Sequence, residues 1–198
     1  MLVRMRKVRR RKVILASASL WRRKLLKRAG IRFRVEVSGH HENLAQKVTP
    51  EKLVQKLALE KACLVAKHNR GALIIAADTV AVFKGKVLGK PRSLTEARKI
   101  LAALSGSRHS LITGFVILDT KTSRVVMKSA ETKVWFRKLR RDEIDAYVRT
   151  KEPLTVAGAY AIQGGGASFA KRIDGDFYNV VGLPLAMVVE ELRKFGVA

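Results

Sequence analysis

The stretch "ALIIAADTVAVFKGKVLGKP", residues 72–91, constrains the fold more than any other. Its apolar part carries a single acid, Asp78, and it ends at Lys84-Gly85-Lys86. The pattern reads as buried strand, acid, strand, then a tight hairpin. An acid at the carboxyl end of a strand in an α/β sheet lies near the edge where ligands bind. A buried carboxylate is costly without a partner, so Asp78 implies a cation, a metal or a raised pKa. A salt-bridged or turn-capping aspartate accounts for the same spacing.

The flanking segments supply the other layers. "VILASASLWRRKLL" begins at 13 with a short buried strand over 13–16, and a helix follows over about 20–29, stopped by Gly30. "RFRVEV" at 32–37 alternates like a strand with one buried face. In "VTPEKLVQKLALEKACLVAKH", Thr49 can cap a helix, Pro50 suits its first position, and Leu53, Val54, Leu57, Leu64 and Val65 form an apolar stripe. Lys61 falls inside that stripe, so it either snorkels outward or points inward at an anion. Further on come a helix over about 94–105 and strands over about 108–119 and 124–137 joined by "TKTS". A short helix in "RRDEIDAYVRT", a glycine-rich region and a last helix over about 184–195 complete the chain. Strands and helices interleave around a central hairpin pair, which gives an α/β fold with a mixed sheet.

The chain of 198 residues has a formal net charge of +25. That field favours polyanionic partners such as nucleotides, RNA or phospholipid surfaces. A basic cluster, "RMRKVRRRK", lies at 4–12, so residues 1–12 read as a basic N-terminal segment ahead of a single domain over 13–198. A secretory signal is not expected, because the apolar run after this segment is short, broken by serines and followed by more Arg and Lys. One cysteine, Cys63, excludes an intramolecular disulfide and fits a reducing, cytoplasmic setting. No window is long and apolar enough for a membrane span.

Ser17, Ser19, Arg22 and Arg23 stand at a strand-to-helix turn, where free N–H groups and guanidinium forks make a phosphate cradle. The turn lacks the glycines of a P-loop or a dinucleotide fingerprint. "GGGA" at 164–167 lacks the accompanying Lys and Ser/Thr and reads as a turn. The four histidines form no ligand pair of helical spacing, so no structural zinc site is expected. Magnesium or manganese held by one or two carboxylates and substrate phosphates fits better.

Taken together, "LASASLWRRKLL", "LALEKA", "AADTV", "GKVLGKP", "EIDAYV", "AGAYAIQG" and "GDFYNVVGLPL" resemble the Maf family of nucleoside triphosphate pyrophosphatases, in order, from about residue 13 to 195. The resemblance implies an elongated Maf/ITPase-like α/β fold, with a central mixed β-sheet flanked by helices and a cleft between two lobes. It implies metal-dependent hydrolysis between the α and β phosphates, giving a monophosphate and pyrophosphate, by a homodimer. Asp78 becomes the essential acid, acting on the attacking water or through Mg2+ or Mn2+, with Glu42 as a second acidic residue at the metal. Ser17, Arg22, Lys61, Lys90 and Gln163 become substrate-binding residues, and Lys61 becomes an inward cation.

The resemblance divides over the base. A branch acting on dTTP and UTP has Thr after the aspartate and Gln in "IQG", matched by Thr79 and Gln163. A branch acting on 7-methyl-GTP has Trp in the first motif, matched by Trp21, whose face could stack on a methylated purine. Leu20 replaces the usual proline, and Thr155-Val156 replaces the usual Asp-Lys. Two of these three specificity positions point to dTTP and UTP. The alternatives are a 7-methyl-GTP pyrophosphatase, or a nucleic-acid-binding or division-regulating protein with a vestigial nucleotide site.

Overall fold

A computed structural model describes residues 11–40 and 43–197. Glu42 and most of the basic N-terminal segment lie outside the described residues. Among the described residues seven strands form one mixed sheet. Strand β1 (Lys12–Leu15) lies between β2 (Arg34–Val35) and β3 (Ala72–Phe83), parallel to both. Beyond β3 the sheet is antiparallel, through β5 (Arg108–Asp119) and β6 (Val125–Phe136) to β7 (Ala170–Asp174). The short β4 (Lys86–Leu88) pairs with the far end of β3. Their two-residue turn has φ of 48° at Lys84 and 74° at Gly85, the left-handed pair that a tight hairpin needs.

The six α-helices among the described residues cover both faces. Side chains alternate along a strand, so β3 sends Ile74 and Ala76 to one face and Leu73, Ile75 and Ala77 to the other. The first face packs on α2 (Pro50–Ala66) through Ala58, Ala62 and Val65. The second packs on α1 (Leu20–Arg28) and α6 (Leu185–Arg193) through Leu25, Leu26, Val188 and Leu192. Farther along that second face, α3 (Leu94–Leu104) and α4 (Arg141–Arg149) enclose Leu111, Val134 and Phe136. The short α5 (Phe177–Val181) precedes α6.

Local chemistry accounts for the boundaries. Thr49 Oγ1 accepts from Lys52 N at 3.4 Å and Pro50 opens α2, as the sequence predicts. Ser19 Oγ accepts from Arg22 N at 3.3 Å and starts α1. The end of the basic segment is tied down: Arg11 meets Asp119 at 2.5 Å, and Lys12 Nζ donates to Asn69 Oδ1 at 2.8 Å. Burial raises the Asp119 pKa, but hydrogen bonds from Arg11, the Lys121 amide and Thr122 outweigh it and hold the carboxyl at about 2.

Two expectations change. "RFRVEV" contributes only the two-residue β2, because β1 offers it two register positions before ending. Asp78 is not at the carboxyl end of its strand: β3 continues to Phe83 because β5 pairs with it throughout that length. The strand that ends beside Asp78 is β1, whose pairing with β3 stops at Leu15 and Ile75. The crevice expected outside a strand's carboxyl end therefore belongs to β1.

Candidate active site

A cavity of about 520 Å³ opens where β1 gives way to α1. Eight residues singled out by the sequence line it: Ser17, Trp21, Arg22, Lys61, Asp78, Thr79, Lys90 and Gln163. Its remaining walls include the segment from Val37 to His40, Leu44 and the turn at Thr155–Ala157. Because β1 stops at Leu15, both faces of β3 reach this space, so adjacent Asp78 and Thr79 line it from opposite sides.

Asp78 is 4 % exposed and Lys61, on α2, is 7 % exposed; Lys61 Nζ donates to Asp78 Oδ1. Lys61 therefore points inward and does not snorkel. Their meeting depends on how closely α2 approaches the sheet. Gly114 pairs directly with Asp78 across β3 and β5. A Cβ at 114 would lie 2.6 Å from the backbone of Val54 and Gln55, so only glycine lets α2 lie so close.

On the other face, side-chain hydrogen bonds hold Arg22 across the turn. Nε donates to the Gly182 carbonyl at 2.8 Å, Nη1 to Ser17 Oγ at 3.3 Å and Nη2 to Thr79 Oγ1 at 3.0 Å. Ser17 Oγ also accepts from the Ser19 amide at 3.2 Å, which fixes the turn leading into α1. The guanidinium is thus preorganised beside the first turn of α1, whose N-terminal amides and dipole favour an anion.

The mouth is built differently. Lys90 is exposed, and Leu20 and Val37 on the rim are each 56 % exposed. Trp21 lies in the first turn of α1 with Lys24 Nζ 4.5 Å from its ring centroid, so a cation already covers one face of the indole. Gln163 is half-buried, and its Oε1 is shielded from solvent with no hydrogen-bond partner among the described residues.

The structure adds residues that the sequence reading did not single out. His40, at the cavity edge, lies with Nε2 3.0 Å from Glu60 Oε2. Tyr160 closes the inner wall, and its hydroxyl lies 2.9 Å from His109 Nε2. Both rings meet Phe136 edge-on, His109 at 4.8 Å and Tyr160 at 4.7 Å between centroids. Burial pushes His109 down to about 4, so the imidazole is neutral at neutral pH. The tyrosine in "AGAYAIQG" carried a signal in sequence, but nothing local linked it to His109, 51 residues earlier.

The arrangement suits a polyphosphate. Cations converge from α2, α1 and the hairpin end on a space whose volume falls in the range of small-ligand sites. For a divalent metal, Asp78 offers a carboxylate, while no cluster of three ligating side chains occurs among the described residues. That donor set matches an ion such as magnesium, which binds through one or two carboxylates and substrate phosphates.

The Maf-like protein family model matches residues 12–195. A dTTP/UTP pyrophosphatase of Methanosarcina barkeri is 47 % identical over 189 residues, covering 95 % of this chain and 96 % of that protein. A dTTP/UTP pyrophosphatase of Bacillus anthracis is 42 % identical over 187 residues, covering 94 % and 97 %. A HAM1 protein from Coxiella burnetii shares the fold, with a TM-score of 0.52 and 15 % identity over 93 % of this chain and all of that one. Motif order, a cavity lined by the motif residues, and matches over nearly the whole length agree: the chain belongs to the Maf family.

Proposed function

We propose that this protein is a nucleoside triphosphate pyrophosphatase acting on dTTP and UTP. The observation that carries the reading is the buried Lys61–Asp78 pair in a cavity ringed by cations, in a chain 47 % identical to a protein of that activity. Water attacks the α-phosphorus, the bond from that phosphorus to the α–β bridging oxygen breaks, and pyrophosphate leaves from a nucleoside monophosphate. Asp78 accepts the proton of the attacking water, and Lys61 holds its carboxylate in place. Arg22 and Lys90 face the charge that develops on the leaving group. Asp78 and Glu42, with the substrate phosphates, would hold magnesium or manganese, which would supply further charge neutralisation.

Thr79 and Gln163 favour the pyrimidine branch. The Lys24 ammonium over Trp21 adds to this, because it would repel a cationic methylated purine on that face. A cytoplasmic homodimer is part of the same proposal. No described helix is long and apolar enough to cross a membrane. The test is pyrophosphate release with magnesium or manganese across dTTP, UTP, CTP, 7-methyl-GTP, GTP and ATP. Turnover of dTTP and UTP is expected. A preference for 7-methyl-GTP would transfer specificity to Trp21, and no release from any nucleotide would remove the enzyme reading.

A further inference from the structure

Behind Arg22, the direction of every proton is determined. Arginine N–H groups only donate, and Nη2 donates to Thr79 Oγ1 at 3.0 Å. Thr79 Oγ1 lies 2.9 Å from Thr113 Oγ1, its partner across β3 and β5. Thr113 Oγ1 donates to the Asn179 backbone carbonyl at 3.1 Å. A hydroxyl has one hydrogen, and Thr113 gives its own to a carbonyl that can only accept. Thr79 must therefore donate to Thr113 and turn a lone pair toward Arg22. Thr113 and Asn179 are both fully buried.

The far end of this chain is anchored in turn. Asn179 Nδ2 donates to the Leu111 carbonyl at 3.0 Å and to Thr132 Oγ1 at 2.9 Å. Thr132 Oγ1 donates to the Asp176 carbonyl at 2.9 Å. The same α5 segment ends at Gly182, whose carbonyl receives Arg22 Nε at 2.8 Å. Two routes from Arg22 thus converge on one short helix.

We infer that Thr113 and Asn179 are positioning residues that hold Arg22 at the cavity through Thr79, by a one-way chain of hydrogen bonds; this rests on reading the cavity as a triphosphate site. It also changes how Thr79 acts. The Thr79 hydroxyl works on the arginine, so altering the chain behind it changes turnover of every nucleotide together and leaves the choice among bases as it was.

Thr113→Val keeps the shape of the side chain and removes both hydrogen bonds, whereas Thr113→Ser keeps them. The experiment is steady-state pyrophosphate release from UTP, dTTP and CTP with magnesium, well below the melting temperature. The variants are Thr113→Val, Thr113→Ser, Thr79→Val and the Thr79→Val/Thr113→Val pair, with melting temperatures measured alongside. Losing the neutral hydrogen bond that orients the Thr79 hydroxyl predicts a fall in kcat/KM of about 3- to 10-fold for Thr113→Val, equal across the three nucleotides. Thr113→Ser should stay within about 1.5-fold, and Thr113→Val should add less than about 1.5-fold in the Thr79→Val background. An additive cycle, or an equal loss in Thr113→Ser, would overturn the chain while leaving the enzyme reading intact. No turnover by the unaltered chain would overturn the enzyme reading, and with it any role of Thr113 in catalysis.

Discussion

Two walls of the cavity bury polar groups on opposite plans. On the α2 side, Lys61 and Asp78 form a buried salt bridge. On the opposite side, His109 and Tyr160 are neutral, wrapped in aromatic rings, and His109 Nδ1 has no hydrogen-bond partner among the described residues. A buried charge without its partner is far more costly than a buried neutral ring. The charged wall is therefore unforgiving of change, whereas the neutral wall shows its cost only when pH forces a proton on it.

The largest effect belongs to the charged wall. Asp78→Asn removes the proposed proton acceptor and should lower pyrophosphate release from UTP by about 10²- to 10⁴-fold, the usual worth of a positioned base. Retained turnover would move the base elsewhere and erase the functional contrast between the walls. Next is stability. Lys61→Met removes the buried cation beside the Asp78 carboxylate and should cost about 3–5 kcal/mol in urea unfolding, while Lys61→Met/Asp78→Asn together should recover most of it. A double variant no more stable than the single one would mean that the pair is not what α2 is holding.

The neutral wall predicts an acid limb. His109 has its folded pKa lowered from 6.5 to about 4, so the unfolded chain takes up the proton first as pH falls. Its contribution is intact above 6.5, is lost progressively between 6.5 and 4, and is constant below that. The span corresponds to about 3 kcal/mol. His109→Phe keeps the ring contacts and should flatten unfolding free energy across that window; an unchanged slope would place the acid sensitivity in other groups. The smallest effect is at the mouth. Removing one exposed cation–π contact by Lys24→Ala should change KM for any nucleotide by less than about fivefold, and a larger change would mean that the rim grips substrate directly.

Much of this was legible in the sequence for a local reason. Caps, the hairpin and the apolar stripes are short-range signals: Thr49-Pro50, Lys84-Gly85 and the "LALEKA" stripe each predict their own geometry within a turn or two. The site residues were legible through motif order, and eight of the nine line one cavity, with Glu42 outside the described residues. Asp78 was misplaced at a strand end because apolar periodicity cannot say which strand stops beside it.

Residue order alone marks which side chains can titrate, where the chain turns, and that a surplus of cations favours an anionic partner. What those groups do to one another is set by the folded arrangement. Gly114 admits α2 closely enough for Lys61 to reach Asp78, and Thr113 directs the hydroxyl that steadies Arg22. His109 is neutral because Tyr160 and Phe136, distant in sequence, exclude water from it. Each depends on contacts between residues tens of positions apart, where close packing and low dielectric set the energy and no local pattern records the partner.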